Sequence, residues 1–123
     1  MADYTQTSVG RASAVLTTGE VAGAALPLER VKDKRVTVSF NFTQGSLTNG
    51  IIRFYVSRDN STYFPLYLGG TAMTETLTAD GTRCYALPPM NGWKWFRATL
   101  QGTGTVTSSA GAFSYFWERL GAP

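Results

Sequence analysis

The sequence has no histidine and only one cysteine, Cys84, in 123 residues. The first absence removes the commonest metal ligand, the usual general base, and any Ser–His or Cys–His nucleophile pair. The second rules out a disulfide within the chain, and the two together exclude a zinc site. Gly-rich phosphate loops are also missing: Gly102-Thr103-Gly104 lacks the helix into which such loops lead. Eight acidic residues leave paired carboxylates available for glycoside hydrolysis. However, Asp33, Asp59 and Asp80 stand in turn contexts, where Asp serves the backbone. The expectation is a non-enzyme without cofactor or metal, with Cys84 a packed strand residue rather than a nucleophile.

Charge is scarce as well. Charged residues make up 15% of the chain, against about 25% in an average domain. The net charge is only +3, and the cations are scattered except in Glu29–Arg35. That run is expected to be a solvated loop, too thin in charge to hold a polyanion, so no nucleic-acid partner is expected. No apolar run approaches the ~20 residues that span a bilayer, and no membrane partner is expected. Met1–Gln6 is neither basic nor apolar, so an export signal is not expected and folding is assigned to the cytoplasm. Asn41-Phe42-Thr43 and Asn60-Ser61-Thr62 match a glycosylation pattern that would then go unused.

What the chain does have is aromatic residues, glycine and period-2 alternation. Its length fits one domain with one core. Ile52, Phe54 and Val56 alternate with Arg53, Tyr55 and Ser57, the mark of a strand with one face inward. Asp59-Asn60-Ser61 is suited to close a tight turn, after which Phe64, Leu66 and Leu68 resume the apolar alternation. Val36, Val38, Phe40 and Phe42 define a second clear strand, expected to pair antiparallel with the first across Gln44–Gly50. Phe96, Ala98 and Leu100 define a third, opposite Trp95, Arg97 and Thr99. Gly102–Gly104 is expected to turn the chain into a strand beginning at Thr105, and Phe113–Trp117 to supply the last strand. The pattern predicts an all-β fold: a single antiparallel β-sandwich, or small barrel, of seven to eight strands.

Residues 1–28 differ from the rest. Their apolar content is largely alanine, which gives little core volume, and Gly23 and Pro27 argue against a helix. They are expected to form an extended N-terminal arm and one or two edge strands, with residues 29–123 forming the sandwich domain.

The cluster with the most chemical character is Trp93-Lys94-Trp95 with Arg97. If Phe96 and Ala98 face the core, Trp95 and Arg97 face outward, where a tryptophan can stack a sugar or base or anchor a protein interface. The competing reading is that the tryptophans fill a sheet face or a sheet end. Arg53 and Tyr55 point outward by the same parity and extend the patch if the two strands are neighbours. Tyr4 on the arm completes the candidate interface residues: Tyr4, Arg53, Tyr55, Trp93, Trp95 and Arg97.

The stretch Phe54-Tyr55-Val56-Ser57-Arg58-Asp59-Asn60-Ser61-Thr62-Tyr63, followed by Pro65-Leu66, resembles a pattern in small β-sandwich modules of tailed-bacteriophage virions. In these an apolar-x-apolar-Ser strand leads into an Asp/Asn-rich turn, then Ser/Thr and an aromatic residue. The late strand Trp95–Leu100 and its Gly/Thr-rich sequel Gln101–Val106 are similar too, so the likeness covers roughly residues 35–110. Carbohydrate-binding and fibronectin-like modules share the turn logic. The resemblance implies a structural protein of the virion, assembled in the host cytoplasm. Its role would be a head decoration (cement) protein bound to the major capsid protein, or a tail or baseplate component. It also implies a homo-oligomer, with a trimer favoured by symmetric, repetitive use. The alternative from another class is a carbohydrate-binding module with a glycan partner at Trp93 and Trp95.

Overall fold

The computed structural model describes residues 4–68, 70–106 and 108–119, with the side chains of Tyr4 and Thr5 outside that description. Alternation dictates the strands. In β4 (Thr37–Thr43) Val38, Phe40 and Phe42 are buried, and in β5 (Leu47–Ser57) Ile52, Phe54 and Val56 are. In β11 (Trp95–Gly104) the buried set is Phe96, Ala98 and Leu100, and in β12 (Ala110–Arg119) Phe113 and Tyr115 are buried. The remaining strands are β1 (Tyr4–Ala14), β2 (Val21–Ala22), β3 (Leu26–Pro27), β6 (Tyr63–Pro65), β7 (Tyr67–Leu68), β8 (Thr71–Ala72), β9 (Thr74–Leu77) and β10 (Gly81–Ala86).

They form two main sheets. Sheet A has the order β1-β12-β4-β10; sheet B has β2-β11-β5-β6, with β3 also on β11 and β9 also on β5. The pairings within both are antiparallel. Counting β2/β3 and β6/β9 as one position each gives four strands facing four. The chain visits the sheets as A, B, A, B, B, A, B, A, which is the path of a jelly roll. The fold is an all-β sandwich, and β7–β8 is a small hairpin outside the two sheets.

The core lies between the sheets. Phe40 and Tyr85 from sheet A meet Phe54 from sheet B at ring-centroid distances of 6.3 and 6.0 Å, and Phe96 meets Tyr115 at 5.3 Å. Tyr115 also ties the layers by hydrogen bonds: its hydroxyl accepts from the Ala98 N–H (3.1 Å) and donates to the Ala24 carbonyl (2.8 Å). Burial pushes its phenol pKa well above the ordinary value. Gly23 lets this edge of the sandwich close, because a Cβ there would collide with the Phe113 ring.

Several local expectations are corrected. β4 and β5 do not pair; the three residues between them form a corner that carries the chain from sheet A to sheet B. Gly45 makes the corner, with φ 54° and its α-carbon against the Ser108 backbone, so a side chain has neither the conformation nor the space. Asn49-Gly50 is strand rather than turn, with Gly50 beside the Phe42 ring and opposite Gly102. β11 likewise runs on through Gly104, and the next strand begins at Ala110, not Thr105. After the Asp59 turn only Leu66 enters the core; Phe64, paired with Val56 on the edge strand β6, is 49% exposed, and Leu68, in β7 outside the sheet, is 58% exposed. Cys84 is exposed rather than packed, since the parity of β10 turns Tyr85 inward and Cys84 outward.

Residues 4–28 form edge strands of both sheets: β1 on β12, and β2 and β3 on β11. They contribute Leu16, Leu26 and Leu28 to the same core cluster as the rest of the chain. β12 runs past Trp117 through Glu118 and Arg119, and residues 120–123 lie outside the described residues.

Candidate functional site: the outer face of sheet B

β11 and β5 run side by side with Trp95 opposite Ser57, Arg97 opposite Tyr55 and Thr99 opposite Arg53. β6 adds Tyr63 opposite Ser57. Because side chains alternate, these residues share the face turned away from the core. The structure therefore brings together Arg53, Tyr55, Trp95 and Arg97, all partly buried among one another. Trp93 is placed differently. It precedes β11, packs against the core, lies 5.8 Å from the Phe64 ring, and is covered by the Arg58 guanidinium at 4.6 Å. Tyr4 belongs to β1 in the other sheet, and its side chain lies outside the described residues.

Glu20, which sequence reasoning passed over as part of a loop, organises one half of this face. It accepts hydrogen bonds from Tyr55 Oη (2.7 Å) and from Thr99 Oγ1, and its other oxygen lies 3.7 Å from Arg53 Nη1. The same Arg53 nitrogen donates to Gln101 Oε1 at 2.8 Å, and Gln101 donates to the Thr18 carbonyl at 2.8 Å. Burial first, and then the Glu20 hydrogen bond, push the Tyr55 pKa up to about 12, since ionisation would set a phenolate against a carboxylate.

The other half is built on the turn. The Ser57 hydroxyl, fully buried, accepts from the Asp59 and Asn60 N–H groups and donates to Asp59 Oδ1 (3.0 Å). That same oxygen accepts the Ser61 and Thr62 N–H groups at 2.9 and 2.8 Å. These bonds hold the Asp59 carboxyl below its usual range, those from Thr62 and Ser61 most strongly. The turn delivers Tyr63, whose ring lies beneath the Arg97 guanidinium at 3.9 Å from its centroid. Burial raises the Tyr63 pKa despite Arg97. Parity in the sequence could have flagged Tyr63, but nothing local points to Glu20.

Between the halves lies a shallow cleft of about 340 Å³ lined by Glu20, Ala22, Tyr55, Tyr63, Arg97 and Thr99. Its chemistry is that of a fixed charge and hydrogen-bonding surface. Among the described residues no group of three or more His, Cys, Asp or Glu could hold a metal ion.

No protein-family profile matches the chain, and no curated protein matches it by sequence. Solved structures do resemble it. An SPBc2 prophage-derived protein, YomS, superposes with a TM-score of 0.61 at 15% identity, over 96% of this chain and 96% of that one. The VP2 chain of an infectious bursal disease virus subviral particle gives 0.54 at 11% identity, over 94% of this chain but 32% of its own. A protein of Bacillus endospore appendages, described as disulfide-linked pili, gives 0.50 at 10% identity, over 97% of this chain and 90% of that one. At such identities the likeness shows the fold alone, a β-sandwich shared with a prophage-derived protein and with the VP2 chain of a subviral particle.

Proposed function

We propose that this chain is a non-enzymatic structural protein of a tailed-bacteriophage particle. Within the particle it acts on the head, as a decoration protein that binds and stabilises the shell of the major capsid protein. The observation that carries the reading is the end-to-end likeness to a prophage-derived protein, 96% of each chain, on a fold also used in a viral shell. The candidate site adds to it. Glu20 and Asp59 are each committed to structural hydrogen bonds, and the exposed chemistry is the Tyr, Trp and Arg mixture typical of protein interfaces. Repetition on a shell favours a symmetric oligomer, for which a trimer is the working assignment.

A place in the tail or baseplate is the second reading, since small β-sandwiches serve there as well. The two separate by copy number. Quantitative mass spectrometry of purified particles should find the chain at an abundance comparable to the major capsid protein. A few copies per particle would move it to the tail, and absence from particles would overturn both. Of the two platforms of the glycan alternative, Trp93 is covered by Arg58, which leaves Trp95 as its stacking surface.

A further inference from the structure

Among the described residues of the sheet B face, Arg53 is paired with Glu20, whereas Arg97 has no carboxylate partner. Its Cζ lies 3.9 Å from the centre of the Tyr63 ring, and its Nε is shut off from solvent with no hydrogen-bond partner. Among the described residues no carboxylate lies within ion-pair distance of it. The carboxylate lining the same cleft, Glu20, is occupied by Tyr55, Thr99 and Arg53. Asp59, behind Tyr63, is occupied by the backbone of its own turn. A partly desolvated cation without a counter-charge costs stability in the isolated protein. The same arrangement leaves the guanidinium pre-positioned, so that little ordering cost remains when a carboxylate arrives.

We propose that the outer face of sheet B is a protein-docking surface whose anchor is an Asp or Glu side chain of the partner, received by Arg97 with Tyr55, Tyr63 and Trp95 around it. The fixed planar fork of arginine suits a carboxylate, and the surrounding residues match those that dominate binding energy at protein interfaces. An acidic sugar would bring the same carboxylate with only Trp95 left to stack on, since the arginines cover Trp93 and Tyr63; the oligosaccharide arm of the test separates the two. For the partner's identity the proposal rests on the particle reading above; for the chemistry of the contact it does not.

The test uses the full chain and particles that lack it. Arg97→Gln should bind such particles about 30-fold more weakly than the wild type, and Arg97→Glu more weakly still, while the melting temperature of Arg97→Gln stays level or rises. Arg97→Lys, which keeps the charge and loses the fork, should fall between. If the wild type binds and all three variants stay within about twofold of it, the anchor is wrong and the particle reading survives. If the wild type binds no particle, the particle reading fails and a second measurement decides the anchor. In that measurement the Arg97 side-chain N–H resonance is followed during titration with a glutamate-rich peptide and, separately, with oligogalacturonate. A shift with the peptide supports a protein carboxylate. No shift, or a shift with the oligosaccharide alone, overturns it.

Discussion

The two outer faces of the sandwich are built by the same alternation and to opposite effect. Across sheet A one rung reads Val9, Ser114, Ser39, Cys84, and the next reads Ala112, Asn41, Thr82. These are short side chains, and most of their contacts with one another are isolated pairs such as Thr82 with Asn41 or Cys84 with Ser39 (3.5 Å). Across sheet B the corresponding rungs carry Trp95 with Tyr63, Arg97 with Tyr55, and Thr99 with Arg53. Here the side chains lie along the sheet and form a second, polar layer over it, joined through Glu20. Facing away from the core therefore means two different things in one molecule. On those rungs of sheet A it is a thin coat; on sheet B it is a hydrogen-bonded layer in which Arg97 pairs with no described carboxylate.

The largest test addresses the assignment of β4 and β5 to different sheets, on which the comparison rests. Gly45→Ala should destabilise the protein by about 2–3 kcal/mol in denaturant melts, from strain at positive φ plus collision with Ser108. A near-neutral result would mean that the corner is drawn wrongly. Next in size, Glu20→Ala should cost about 1 kcal/mol, because Tyr55 and Arg53, both partly open to water, and the buried Thr99 lose a shared acceptor. Ser39→Ala on sheet A should stay within about 0.5 kcal/mol. Equal effects from these two would erase the distinction between layer and coat.

Alkaline titration offers a finer reading. The raised pKa of Tyr55 means that the folded state holds its phenolic proton after the unfolded chain has released it. Its contribution is thus complete below the ordinary tyrosine value of about 10 and is lost as pH climbs towards about 12. Phenolate absorbance should show a late-titrating group that Tyr55→Phe removes. Cys84 supplies the smallest perturbation: native protein should react with a thiol reagent at once, without unfolding, since the sulfur is on the open face of sheet A. Protection until denaturation would reverse the parity of β10.

Parity was the part of this architecture legible in the residues. Val38, Phe40 and Phe42, then Ile52, Phe54 and Val56, then Phe96, Ala98 and Leu100 announce which side faces inward, and Arg53, Tyr55, Trp95 and Arg97 follow as the outward set. Parity does not say which sheet a strand joins. β4 and β5 would alternate identically whether paired or opposed, and a corner of three residues resembles a hairpin loop in composition. Nor does it report burial at a sheet's edge: Phe64 pairs with Val56 but on the edge strand, and Leu68 keeps the spacing after the chain has left the sheet. Glu20 was invisible for another reason. Its partners are remote in sequence and adjacent only once β2 has docked on β11.

The position of β12 has a kinetic consequence. It lies between β1 and β4 and is the last of the described strands, while β1 is the first. Until β12 emerges, neither neighbour has its main ladder partner, and the inward rings of Phe40 and Tyr85 have only half a sheet beneath them. Such distant closure predicts folding on the slower, millisecond-to-second scale of non-local β-proteins. It also predicts nascent chains that carry two open edges until residues 110–119 have been made. Trimming the chain before Phe113 should therefore yield no smaller folded sandwich, only aggregation-prone material, because a central stave of the sheet is missing.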